Sequence, residues 1–180
     1  MSRKIIFSLI LITVAVSAVA YQTSTNKNVG ENKSKAVNSL EWHTFDKGLE
    51  RALKEKKLLV VDFYTDWCHW CKVMDRDTYG NKEVIAFARG KAIMVKVNAE
   101  TTEKYKFKGA SYSGRELSMM FGVQGFPTTS FMNEKGELIT SISGFIPADR
   151  FTLILKFLAD NWYEKMKFDE FVKKEEAGKS

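Results

Sequence analysis

The chain has 180 residues, of which 44% are hydrophobic, 28% charged and 13% aromatic, with a formal net charge of +6. These proportions exclude a disordered, collagen-like or polytopic membrane chain, and the length suits one domain with a real core rather than two. Two cysteines are too few for a disulfide-stapled scaffold or a four-thiolate zinc site, so the function of that pair is the question the chain poses.

Arg3 and Lys4 precede the uncharged run Ile5 to Ala20, which closes on Ala18-Val19-Ala20. A positive start, an apolar middle and a small-residue end read as a signal peptide over residues 1–20, which implies a periplasmic or extracellular protein. The competing reading is an uncleaved anchor, but the run is shorter than the roughly 20 residues that a span needs. Cleavage leaves about 160 residues. It lowers Lys+Arg from 28 to 26 against 22 acids, a charge of about +4. The positives are interspersed with acids, as in Lys54-Glu55-Lys56-Lys57. That is a solvated helix surface and not a nucleic-acid-binding stripe.

Residues 21–40 are rich in Asn, Ser, Thr and Lys and read as a flexible tether. The domain is placed at residues 41–162, followed by a helical extension at 163–180. Trp42, Phe45, Leu49 and Leu53 recur at spacings of three and four and predict a first amphipathic helix, with Thr44 or Asp46 as its cap. Leu58 to Tyr64 is a short β-branched run expected as a buried strand. A helix is expected to begin at Cys68-His69-Trp70-Cys71, and Lys82 to Arg89 forms another. Ala92 to Val97 predicts a second strand, Thr101 to Ser113 a loop or insertion, and Arg115 to Phe121 a short helix. Thr128 to Met132 and Leu138 to Ser143 complete the strands, joined by the hairpin-turn residues Glu134-Lys135-Gly136-Glu137. Asp149 to Trp162 closes the domain as a helix with Phe151, Ile154, Leu155 and Leu158 on one face. The expected fold class is α/β, a central mixed sheet of about four strands covered by helices on both faces.

The chemistry concentrates at Cys68 and Cys71. A thiol at a helix amino terminus faces the positive end of the dipole and unpaired N–H groups, and both favour thiolate. Cys68, nearer the end and the solvent, is the expected nucleophile, and Cys71, one turn in, is placed to resolve the mixed disulfide. His69 adds a neighbouring cation when protonated. Trp67 and Trp70 offer flat apolar surface for docking a polypeptide substrate, or for packing. An inert structural disulfide is the bland alternative, yet so small a loop stabilises by only about 2 kcal/mol in the chain-entropy model. A metal site is disfavoured, since His43 and His69 lie far apart in sequence. Covalent haem would need His where Lys72 stands.

Asp62 interrupts the first apolar strand and Lys96 the second. If these strands are neighbours, the two charges partner each other beneath the cysteines, with Asp62 helping to deprotonate Cys71; the alternative is a solvated pair at strand ends. Pro127, in Gly125-Phe126-Pro127-Thr128, is either a plain strand-start proline or a cis proline that turns Phe126 towards the cysteines to pair with substrate backbone. Phe126 and Thr128 therefore join Trp67 and Trp70 as expected substrate-binding residues.

The run Val60-Val61-Asp62-Phe63-Tyr64-Thr65-Asp66-Trp67-Cys68-His69-Trp70-Cys71-Lys72 resembles the strand, buried Asp, Trp, C-x-x-C and following Lys of the thioredoxin-like superfamily. Gly122 to Thr128 resembles the segment with its cis proline, and Lys135-Gly136-Glu137 and Gly144 resemble its hairpin and final turn. Lys72-Val73-Met74, Asp77-Thr78-Tyr79, Asn81 and Glu83-Val84 are similar to the carboxy-terminal domain of transmembrane thiol:disulfide interchange reductases. The resemblance implies a thioredoxin-like fold with Cys68 attacking, Cys71 resolving, Pro127 cis and Asp62 assisting. It implies no cofactor beyond the Cys68–Cys71 disulfide. Its expected partners are protein thiols or disulfides and a membrane or soluble redox partner that resets the dithiol, with the chain itself a monomer. His69-Trp70 departs from the Gly-Pro of cytosolic thioredoxin, and that dipeptide tunes redox poise. The insertion with Tyr105, Phe107 and Tyr112 offers either a partner-specific surface or a cover for the sheet edge. Net reduction is the favoured direction, with oxidase or isomerase activity as the alternative. A non-catalytic Cu(I)-handling or docking protein is the reading from another class.

Overall fold

The computed structural model describes residues 39–178. The expected signal peptide and nearly all of the tether lie outside the described residues, and no helix among those described is long and apolar enough to cross a membrane.

A two-residue strand β1 (Trp42–His43) leads into helix α1 (Phe45–Glu55) and then strand β2 (Leu58–Tyr64). Trp42 was expected on the first helix. Instead it pairs in parallel with Met94, because Thr44 holds an extended backbone at the helix start and its hydroxyl donates to Asp46 Oδ1 at 2.8 Å. Helix α2 (His69–Met74) runs on through a wide π turn (Asp75–Tyr79) and is followed by α3 (Lys82–Lys91), capped by Asn81 Oδ1. Strand β3 (Ala92–Asn98) completes the first half.

The segment expected as a loop is a hairpin, β4 (Lys104–Phe107) with β5 (Ala110–Ser113). Alternation at period two was present but short: in β4 Tyr105 and Phe107 point inwards, while Lys104 and Lys106 face solvent. The two aromatics are buried against Phe45, Phe121 and Val97, so the hairpin covers the core. Helix α4 (Gly114–Met120) follows, with a reciprocal cap between Ser113 and Glu116. Gly114 packs where any Cβ would collide with the Asn98 carbonyl, which ties the hairpin's exit to the end of β3. Strands β6 (Thr128–Met132) and β7 (Leu138–Ser143), helix α5 (Ala148–Ala159), a 3₁₀ turn (Trp162–Glu164) and helix α6 (Phe168–Ala177) finish the chain.

The sheet has five strands in the order β1-β3-β2-β6-β7, with β1, β3 and β2 parallel and β6 and β7 antiparallel to their neighbours. The strand beyond the four expected is β1. One face buries Val60, Met94 and Phe131 against Tyr79, Phe151, Leu155 and Phe171. The last of these comes from α6, so the helical extension contributes to the core. The other face buries Leu59, Val61, Phe63 and Val95 against α1, α4 and the hairpin. Gly48 lets α1 lie on β3, since a Cβ there would strike the Val95 side chain.

Truncating a buried aromatic removes both its transfer free energy and its packing. Phe107→Ala should therefore cost about 3–5 kcal/mol in urea unfolding, against about 0.5 kcal/mol or less for a residue on an exposed loop.

Candidate active site

Strand β2 delivers the chain to the top of the sheet, where the Thr65 carbonyl accepts the Cys68 N–H at 3.2 Å. Cys68 keeps extended backbone (φ −70°, ψ 106°) and occupies the amino-terminal cap of α2. It is joined to Cys71 by a disulfide with Cα atoms 5.4 Å apart. The Cys71 N–H donates to Cys68 Sγ at 3.1 Å, so a sulfur does the work that a Ser or Asp oxygen does at other helix starts. The expected difference in exposure between the two cysteines is not observed, because both are 4% exposed. Closing the ring folds Cys68 Sγ back over the first helical turn, and the asymmetry that remains is its place at the positive helix end.

Asp62 lies in mid-strand, opposite Lys96 on β3 and Thr129 on β6, and is 1% exposed. This is a buried carboxylate and not a solvated strand-end charge. Lys96 Nζ lies 3.4 Å from Asp62 Oδ2 and also pairs with Asp75, while Asp62 Oδ1 has no hydrogen-bond partner among the described residues. Burial pushes the Asp62 carboxyl up to about 6; the Lys96 charge opposes that rise and Asp75 adds to it. The Tyr79 hydroxyl shares a 3.3 Å contact with Thr129 Oγ1 nearby, and burial holds its acidity well below that of an ordinary phenol. The ring faces of Trp42, Tyr64 and Tyr79 enclose the Lys96 ammonium, with centroids 4.9, 5.0 and 5.8 Å away.

Trp67 and Trp70 are 67% and 55% exposed, the first just before Cys68 and the second between the two cysteines in sequence. Trp67 meets Phe126 edge-on at 6.1 Å, and its indole N–H donates to Glu100 Oε1 at 3.0 Å. Trp70 leans on Phe145 at 5.7 Å, and the exposed His69 ring lies edge-on to Trp70 at 5.9 Å. The Phe126–Pro127 peptide is cis, the sharper of the two expectations, and Pro127 is buried at the start of β6. Thr128 is not presented to a substrate by its side chain. Its hydroxyl donates to the Gly125 carbonyl at 2.7 Å and lies 3.3 Å from Ser143 Oγ, inside the turn. Among the described residues no group of three or more His, Cys, Asp and Glu is placed to hold a metal.

Asp75, Tyr79, Tyr64 and Glu100 were not singled out from the sequence. A usable signal existed for two of them. Cys71, Asp75 and Tyr79 recur at four-residue steps, which places them on one side of a helix that continues past α2.

The folded value of about 6 for Asp62 stands above its ordinary 3.8, so folding favours the protonated carboxyl. Stability from this group is complete below about pH 4 and is lost as pH rises through about 6, a loss on the order of 3 kcal/mol by linkage. The Asp62→Asn variant of the oxidised protein should unfold in urea with about 2–3 kcal/mol more stability than wild type at about pH 8 and near parity at about pH 4. Equal stability at both would contradict the desolvated carboxylate.

Residues 45–159 match the family model described as a thioredoxin-like domain. The disulfide bond reductase DsbH of Chlamydia pneumoniae is 25% identical over 139 residues, which are 77% of this chain and 82% of that protein. The thiol:disulfide interchange protein DsbD of Pasteurella multocida is 25% identical over 151 residues, 82% of this chain but only 23% of that protein. Of solved structures, a thioredoxin-fold protein from Helicobacter pylori superimposes with a TM-score of 0.60 at 25% identity, over 68% of this chain and 82% of its own. With its Cys68–Cys71 disulfide at the head of α2, the chain belongs to the thioredoxin-like domain family, among its thiol–disulfide oxidoreductases.

Proposed function

We propose that the protein is an exported oxidoreductase that reduces disulfides of other proteins through the Cys68–Cys71 dithiol. The observation that carries this reading is the buried Asp62 carboxyl in the strand that leads to the Cys68–Cys71 disulfide, with Trp67 and Trp70 exposed next to those cysteines in the chain. A substrate disulfide docks between the aromatic rings, and the Phe126 backbone pairs with its extended chain. Cys68 thiolate attacks one sulfur, forming a mixed disulfide and expelling the first substrate thiolate. Cys71 then gives its proton to Asp62 and attacks Cys68 Sγ. The second substrate thiolate leaves and takes up a proton, and the enzyme is left as the disulfide. A thiol donor, soluble or membrane-held, restores the dithiol; beyond the disulfide itself this cycle needs no cofactor.

The reductive direction has two supports. The DsbH relative carries the name reductase, and Asp75, whose N–H bonds the Cys71 carbonyl, sets a negative charge one turn from Cys71, which withholds the thiolate stabilisation that makes a pair oxidising. One observation favours oxidase or isomerase activity instead: the Cys71 N–H aimed at Cys68 Sγ stabilises a Cys68 thiolate, and with it the reduced form. Export rests on the signal-like residues 1–20.

Cys68→Ser should abolish insulin reduction, whereas Cys71→Ser should accumulate a mixed disulfide with substrate, visible on non-reducing gels. Equal residual activity in the two variants would refute the assigned order. Equilibration with glutathione decides direction: a potential well below that of the glutathione couple means a reductase, and one well above it an oxidase.

A further inference from the structure

Trp42 lies outside the span 45–159 that matches the family, on the edge strand β1. Its register opposite Met94 sets it on the same face of the sheet as Lys96 and Asp62. The indole covers Lys96 Nζ at 4.9 Å and meets Tyr79 edge-on at 5.0 Å. Two clefts reach that ammonium. One, of about 380 Å³, is lined by Thr44, Asn98, Glu103 and Tyr105; the other, of about 260 Å³, by Asp75, Tyr79, Gly80 and Ile85. Trp42 and Lys96 are the residues common to both linings, so the indole stands as a partition between the clefts with the ammonium beneath it.

We infer that Trp42 is a positioning residue for the resolving step: its indole shields one face of the Lys96 ammonium from water and so limits the water that reaches the Asp62 carboxyl, which takes the Cys71 proton. The inference rests on the proton-accepting role proposed above for Asp62. The charged or titratable groups around Asp62 are Tyr64 from its own strand, Lys96 from β3 and Asp75 and Tyr79 from the turn after α2, while β6 sets Thr129 opposite it. His43 and Glu103 line the outer cleft. Without the indole the two clefts join, and more water reaches Lys96 and, past it, Asp62. Hydration lowers the cost of ionising a carboxyl, so Asp62 becomes a stronger acid and a weaker base for the Cys71 thiol.

The test uses the reduced full chain mixed with a limiting aromatic disulfide, dithiobis(nitrobenzoate), whose coloured thiolate is released twice. The first release reports attack by Cys68 and the second reports resolution by Cys71. In wild type the resolving rate should rise with pH through an acid limb that Asp62→Asn removes. In Trp42→Ala that limb should move down by about one pH unit, with Trp42→Phe between the two and the first release unaltered. A general loss of stability would not move the midpoint of one phase alone. A limb in Trp42→Ala that coincides with wild type overturns the inference. Should Trp42→Ala not fold, carboxyl-carbon NMR titration of Asp62 in Trp42→Phe replaces it, and a midpoint equal to that of wild type overturns the inference equally. A wild-type chain with no second release refutes the oxidoreductase reading instead, which separates the two failures.

Discussion

The Asp62–Lys96 pair inside the sheet is the constraint around which the active half of the molecule is arranged. A carboxylate in a central strand is expensive to desolvate, and it persists there only with a cation in register on the next strand. That register is demanding. A slip of one residue between β2 and β3 would turn Lys96 to the opposite face and drive Val95 or Val97 against the carboxylate. Lys96 must in turn be held within the protein, and three aromatic rings with a second carboxylate, Asp75, hold it. Asp75 comes from the wide turn that prolongs α2, so the helix whose first turn carries Cys71 is tied to the pair it lies above. The disulfide and the buried charge are thus positioned by one connected set of contacts.

The mouth of the site is organised separately. Trp67 is held by Glu100 through its indole N–H and by the edge of Phe126, which leaves the rest of the ring exposed. Glu100 follows β3 directly, and its own N–H is fixed by the Asn98 side chain, which also donates to Asp66. The close packing of Gly114 on Asn98 connects this loop to the β4–β5 hairpin. The hairpin therefore supports the loop that holds Glu100 and, through it, Trp67. Its aromatics are spent on the core, so the side chains it leaves to solvent are largely lysines and small residues.

Elements built from long apolar periods were legible in the sequence: β2, β3, β6 and β7 fall within a residue of their expected places, and α5 starts one residue early and stops three short of Trp162. The cysteines, Asp62, Lys96 and Pro127 were legible because each breaks a local pattern, as a polar residue in an apolar strand or a proline at a strand start. What escaped was structure decided by partners distant in the chain. Strand β1 has two residues and no periodicity of its own, so Trp42 took the phase of the helix that follows it. The hairpin alternates over only four residues per strand, with glycine and lysine at its tip. Glu100 and Tyr64 matter through side chains reached across the fold, which no spacing rule reports. Thr128 was placed correctly on its strand, but its hydroxyl is committed to the turn, a detail set by the Gly125 carbonyl.

The balance of energies also separates a functional pair from a structural one. The Cys68–Cys71 bridge closes so short a loop that it stabilises by only about 2 kcal/mol in the chain-entropy model. The carboxylate beneath it lowers stability at neutral pH by a comparable amount, on the order of 3 kcal/mol. A site shaped for stability would pair that disulfide with an apolar residue at position 62, in keeping with Val60 and Val61 beside it. Two large indoles left in solvent next to the bridging cysteines run against the same preference. Local departures of this kind, set in a core that otherwise obeys burial and pairing throughout, gather where chemistry requires them. Here they gather towards one end of β2, around two sulfur atoms that can exchange partners and a carboxyl buried in the strand that leads to them.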